Sequence, residues 1–137
     1  AIAKTLESMK KRKRALVDPL QYEMSIQAED LASYVPAFGW ECAPPTDKQK
    51  QVLERLGIFP DEIETAGKAK VILDRLDKRR QEGLTTPKQI RFLEGRGFQH
   101  VGTWQFGQAS SMISRIQAAG WRVPNGINPK EYTPETA

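Results

Sequence analysis

Residues 46–76 recur at 86–116 with a constant offset of 40 and no gap. The identical pairs are Thr46/Thr86, Lys48/Lys88, Gln49/Gln89, Leu53/Leu93, Glu54/Glu94, Gly57/Gly97, Gly67/Gly107, Ala69/Ala109 and Arg75/Arg115. Many unmatched positions exchange one apolar residue for another: Val52/Phe92, Ile58/Phe98, Ile72/Met112, Leu73/Ile113 and Leu76/Ile116. Self-similarity at a fixed period of this length is the signature of a duplicated supersecondary unit whose apolar face is covered by its neighbour. The expectation is an all-α chain built from two tandem helical hairpins of about 40 residues, with boundaries at 46–83 and 84–124.

The start and stop residues of each helix are legible. Thr46 with Gln49 three residues on, and Thr86 with Gln89, fit the reciprocal capping box, and Pro87 suits a first helical turn. Gly57 and Gly97 fit left-handed C-terminal caps. A partner helix is expected to start near Thr65 or Gly67 and run towards Gln81, and its counterpart to stop at Gly120. Helical spacing then assigns Val52, Leu53, Leu56, Ile72, Leu73, Leu76, Phe92, Leu93, Met112, Ile113 and Ile116 to the core. Residues 1–45 are expected to form a helical N-terminal segment, with a basic helix over 6–16, a turn at Asp18-Pro19, a short helix over 27–34 and a stiff linker at Ala43-Pro44-Pro45. After Gly120 the prolines end helical periodicity, leaving an arm held by Trp121 and Val123 and a loose tail over 125–137.

The chain offers little for catalysis. Cys42 is the only thiol and His100 the only histidine, so neither a disulfide framework nor a closed zinc site can be assembled from them. Gly67-Lys68 lacks the preceding glycine and strand of a phosphate loop. The expectation is therefore a non-enzymatic domain with no cofactor. No apolar run reaches the roughly 18 residues of a membrane span, and a signal-peptide apolar stretch is missing, so no membrane partner and a cytoplasmic location are expected. Ala1 stands where an initiator Met would, and a piece of a longer protein is expected.

Charge is distributed in blocks. Lys4, Lys10, Lys11, Arg12, Lys13 and Arg14 face a single acid, Glu7, within residues 1–14; residues 15–45 hold five acids and no base; the remainder is mildly basic. Closely spaced cations release counterions from nucleic acid, which makes Lys10, Lys11, Arg12, Lys13 and Arg14 candidate phosphate contacts. Lys48 and Lys88 lie in first turns, where backbone amides also attract phosphate, and Arg75 and Arg115 are the other bases carried through both copies. Most aromatics belong to the core by position. Trp104 is the ring expected at the surface, available to stack on a base.

Several of these segments together resemble the C-terminal region of DEAD/DEAH-like superfamily-2 helicases of bacterial, phage or mobile-element type. They are Met9-Lys10-Lys11-Arg12-Lys13-Arg14 through Val17-Asp18-Pro19-Leu20, Leu31-Ala32-Ser33-Tyr34-Val35-Pro36-Ala37, Thr86-Pro87-Lys88-Gln89-Ile90-Arg91-Phe92-Leu93, His100-Val101-Gly102-Thr103-Trp104, and Met112-Ile113-Ser114-Arg115-Ile116 on to Gly120-Trp121-Arg122-Val123-Pro124. The resemblance implies an accessory piece beside an ATP-driven motor domain in the same chain, acting on nucleic acid, with DNA the expected polymer. It carries no motor chemistry over, because the chain has neither a Walker A sequence nor an Asp-Glu box. The alternative is a protein-interaction module that docks a helicase to a replication or recombination partner.

Overall fold

Side-chain oxygens decide where the principal helices begin. The computed structural model describes residues 16–134; the basic cluster at 10–14, and all but Leu16 of the expected helix over 6–16, lie outside the described residues. Seven α-helices follow one another among them: α1 (Pro19–Ser25), α2 (Glu29–Ala32), α3 (Gly39–Cys42), α4 (Asp47–Arg55), α5 (Ala66–Gln81), α6 (Pro87–Gly95) and α7 (Phe106–Ala118), with a 3-10 turn at Val101–Thr103. The described residues are all-α and contain no strand, only isolated bridges at Val17–Ile58 and Leu84–Gln105.

Both expected capping boxes form. The Gln49 amide donates to Thr46 Oγ1 at 3.1 Å while the Thr46 amide donates to Gln49 Oε1 at 2.9 Å. At the start of α6, Gln89 and Thr86 repeat this at 3.2 and 3.0 Å. Each glutamine also does something the capping pattern does not reveal. Gln49 Nε2 donates to the Ala66 carbonyl at 3.2 Å and Gln89 Nε2 to the Phe106 carbonyl at 3.3 Å, so each box is tied to the first residue of the helix that follows. The same two first residues donate backwards through their amides, Ala66 to the Ala43 carbonyl and Phe106 to the Gly83 carbonyl, at 2.7 and 2.9 Å.

The helices end through paired bonds across a left-handed glycine. At α4 the Gly57 amide reaches the Glu54 carbonyl and the Ile58 amide the Leu53 carbonyl; at α6 Gly97 and Phe98 reach Glu94 and Leu93 in the same way. With φ of +102° and +99°, Gly57 and Gly97 hold a backbone conformation that costs other residues the Cβ clash glycine avoids. The residue after each glycine, Ile58 and Phe98, then turns fully into the core.

That core differs from the expected one in composition. Leu53, Ile72, Leu76, Leu93, Met112 and Ile116 are buried, whereas Val52, Leu56, Leu73, Phe92 and Ile113 are half-buried. Helical spacing marks a face but does not say which edge of it a neighbour covers, and Val52, Leu56 and Leu73 border an open cleft. Loop residues complete the interior: Val17, Ile58, Phe98, Val101 and Trp104, with Tyr22 from α1. Asp18-Pro19 is more than a turn, because Asp18 Oδ1 accepts from the Leu20 amide at 2.8 Å and Pro19 opens α1. Beyond α7 the chain is not a loose tail as far as residue 134: Val123, Ile127 and Tyr132 pack back on the core, while Trp121 is 56% exposed.

The N-terminal elements reach the rest of the molecule at two glycines. A Cβ on Gly67 would meet Glu41 Cβ at 2.9 Å and the Tyr34 hydroxyl closer still, so α3 lies directly on the start of α5. A Cβ on Gly102 would stand 2.5–2.6 Å from backbone atoms of Ser25 and Ile26, and the Gly102 amide donates to Ser25 Oγ at 2.8 Å. Ser25 in turn donates to Glu94, which also accepts from the Val101 amide and from Gln21 Nε2. These bonds join α1, α6 and the 3-10 turn.

Candidate nucleic-acid interface

The fold divides the basic residues into those it uses and those it leaves at the surface. Lys68 is used: its ammonium lies 2.7 Å from Glu23, a buried carboxylate, and also donates to the Leu31 carbonyl. Arg75, expected at an interface, is instead paired with Asp30, and Lys70 with Asp74 at 2.8 Å. Lys48 and Lys88 each occupy the second position of a capped helix, α4 and α6, with exposed side chains. Arg115 is exposed in the last turn of α7.

Placement brings some of these groups together. The backbone amide and Cγ of Lys88 lie against Gly57, within 3.0–3.3 Å of where a Cβ there would be, so the start of α6 abuts the end of α4. The last turn of α4, which carries exposed Arg55, is thus the turn that the start of α6 adjoins. Lys48 sits at the other end of α4, about 10 Å from Arg55 along the axis at 1.5 Å per residue.

Trp104 corrects an expectation. Its indole is 3% exposed, edge-on to Phe98 and to Tyr132, with ring centroids 5.6 Å apart in both cases. No face remains on which a base could stack. The chain after the 3-10 turn carries the ring inward, and the arm at Tyr132 closes over it. The rings that do face solvent are Phe38, Trp40, Phe106 and Trp121, between 49% and 69% exposed.

A cleft of about 740 Å³ opens between α4 and α5 on one side and residues 83–87 with Phe106 on the other. Its walls are Val52, Leu56, Leu73, Leu76, Leu84 and Pro87. Arg55, Asp77 and Arg80 contribute the charged lining, and Asp77 accepts from Arg80 at 3.1 Å. Tyr22 and Arg79 line it from beneath. Arg79 is 7% exposed, and one terminal nitrogen donates to Gly102 O at 2.8 Å, Thr85 Oγ1 at 3.1 Å and Thr85 O at 3.3 Å. All of these acceptors are neutral. Burial lowers the Arg79 pKa, and the adjacent Tyr22 partly restores it. Burial likewise pushes the Tyr22 phenol up to about 12, with Arg79 and Arg75 acting against it. The Tyr22 hydroxyl lies beside the Arg79 guanidinium, yet neither Tyr22 Oη nor Arg79 Nε makes a bond of good hydrogen-bond geometry.

Cys42 and His100 are both exposed; His100 has left-handed backbone angles before the 3-10 turn. Among the described residues no group of three or more His, Cys, Asp or Glu is placed to hold a metal ion, and no helix is long and apolar enough to cross a membrane. Compared with protein-family models, curated proteins and solved structures, the chain matches none.

Proposed function

We propose that this chain is a non-catalytic nucleic-acid-binding accessory domain, of the kind attached to a helicase motor in the same chain, and that α4–α5 and α6–α7 are two copies of one hairpin. The observation that carries the binding reading is the fate of the cations. Lys68, Arg75 and Lys70 are consumed by carboxylates of the fold, whereas Lys48, Lys88, Arg55 and Arg115 are exposed and hold no ion pair with described residues. Exposed cations without carboxylates are available to neutralise phosphates, and release of the counterions condensed on the nucleic acid is the main driving force of non-specific binding. In support of the duplication, the capping boxes, the glutamine ties and the glycine ends all recur at the offset of 40.

The test is fluorescence anisotropy with single- and double-stranded DNA oligonucleotides. With about three to five phosphates neutralised, log affinity should fall against log salt with a slope of roughly −2 to −5. Changing Lys48 and Lys88 together to Gln should flatten the slope by about 1 to 2, and changing Lys10, Lys11, Arg12, Lys13 and Arg14 to Gln should flatten it further. Absence of binding near 50 mM salt, or a slope indifferent to these changes, refutes the reading.

One observation favours docking to a protein instead. Val35, Phe38 and Trp40 are 77%, 69% and 56% exposed within six residues of the acidic segment, an apolar group that needs no phosphate. That reading requires partner binding that survives high salt and is lost in Phe38→Ala with Trp40→Ala.

A further inference from the structure

We infer that the cleft between α4–α5 and residues 83–87 is a binding site for a small amphipathic organic anion: an apolar, preferably aromatic body with one acidic head. This goes beyond the nucleic-acid reading and does not depend on it. The size of the cleft, about 740 Å³, falls within the range of roughly 300–1,000 Å³ typical of small-molecule sites, and its walls are aliphatic side chains with few polar groups. Val52, Leu56, Leu73 and Leu84 are only half-buried there, so a ligand body would take apolar surface out of water.

The head group is specified by what the floor lacks. Tyr22 is fully buried and Arg79 more than nine-tenths buried, yet Tyr22 Oη and Arg79 Nε bond to nothing. Buried polar atoms in folded proteins are nearly always paired, and two neighbouring orphans in one wall are an exception that calls for a missing partner. Both can donate, and although the Tyr22 hydroxyl lies beside the Arg79 guanidinium, neither atom makes a bond of good hydrogen-bond geometry; an oxygen-rich head supplies an acceptor for both. Arg79 is also a buried cation whose present partners are two carbonyls and a hydroxyl, none of them charged. At the mouth, Arg55 and Arg80 outnumber Asp77, so the field favours an anion over a neutral or cationic analogue of the same shape.

Two fluorescent probes isolate the head group, anilinonaphthalene sulfonate and its neutral analogue phenylnaphthylamine, titrated into the folded chain at neutral pH. The expected result is one saturable site with the sulfonate bound at least about tenfold more tightly, the scale of a charge-assisted bond. Val52→Trp, which fills the cleft from its wall, should abolish binding of both probes. Tyr22→Phe removes a hydroxyl that bonds nothing, so the fold is retained, checked by thermal melting, and the preference for the sulfonate should shrink several-fold. Equal affinity for the two probes, binding unchanged by Val52→Trp, or a preference unchanged by Tyr22→Phe would each overturn the assignment.

Discussion

Tyr22→Phe should stabilise this protein, against the usual outcome of deleting a buried hydroxyl. A phenol oxygen ordinarily has a partner, and its loss costs roughly 0.5–1.5 kcal/mol. Tyr22 is 0% exposed and its oxygen has no partner, so in the free protein the hydroxyl has been taken from water without return. Relieving that desolvation is worth about 1–3 kcal/mol, and the lower end applies because the Arg79 guanidinium lies nearby. A gain of about 1 kcal/mol raises the melting temperature of a chain of this size by roughly 3–5 °C. The pH dependence supplies a second, independent sign. The folded pKa of about 12 lies above the ordinary phenol value of 10.0, so the protonated phenol contributes stability that is complete below pH 10 and is lost as pH rises towards 12. Linkage over these two values gives the variant a further advantage on the order of 1 kcal/mol at pH 11 relative to pH 8, and nothing comparable between pH 6 and pH 8. Urea unfolding followed by circular dichroism at these pH values measures both effects. A variant less stable than the parent at neutral pH, or a difference that stays constant from pH 8 to pH 11, would refute the reasoning.

Two further outcomes follow from the burial pattern. Gly67→Ala should destabilise by about 1–3 kcal/mol, because its Cβ meets Glu41 and the Tyr34 hydroxyl, whereas Gly107→Ala, with nothing within 4 Å, should be neutral or gain up to about 1 kcal/mol; thermal melts of the pair check the contrast. Leu53→Ala and Leu93→Ala remove equally buried side chains and should each cost about 2–5 kcal/mol in urea unfolding, while an unchanged midpoint for either would take that residue out of the core.

The contrast between Gly67 and Gly107 also shows where sequence reasoning stops. Caps are local chemistry: a threonine oxygen and a glutamine three residues on interact within one turn, so Thr46, Thr86, Gly57 and Gly97 could be read correctly without any tertiary information. Helix α1 was missed because Asp18-Pro19 suits both a turn and a helix start, and seven residues are too few for periodicity to decide. Identity of residue type across the two copies did not mean identity of surroundings. Gly67 is pressed by α3 and Gly107 is open; Arg75 is bound to Asp30 and Arg115 is exposed. Trp104 shows the same limit, since its burial depends on Tyr132, some 28 positions away in a proline-rich stretch that looked like a tail.

Arg79 was invisible to sequence for a stronger reason, and it joins the fold to the candidate sites. Its neighbours Lys78 and Arg80 are exposed, so a run of three bases at the end of α5 reads as a solvated helix terminus. The middle guanidinium instead turns inward and holds Thr85 and Gly102, fixing the segment between α5 and α6 against the turn that packs on α1. This places Leu84, Pro87 and the start of α6 at a set distance from α4 and α5, and the space left between them is the cleft. Cleft and surface cations are thus physically separable. Charge at Lys48 and Lys88 can be removed without touching the Arg79 bonds, and Val52→Trp can close the cleft without altering a cation. A polymer that follows the exposed cations should therefore lose affinity with salt and tolerate Val52→Trp, whereas an organic anion seated over Arg79 should be much less sensitive to salt and lost on that substitution. Binding of both probe and oligonucleotide that responds identically to the two changes would mean that one surface had been mistaken for two.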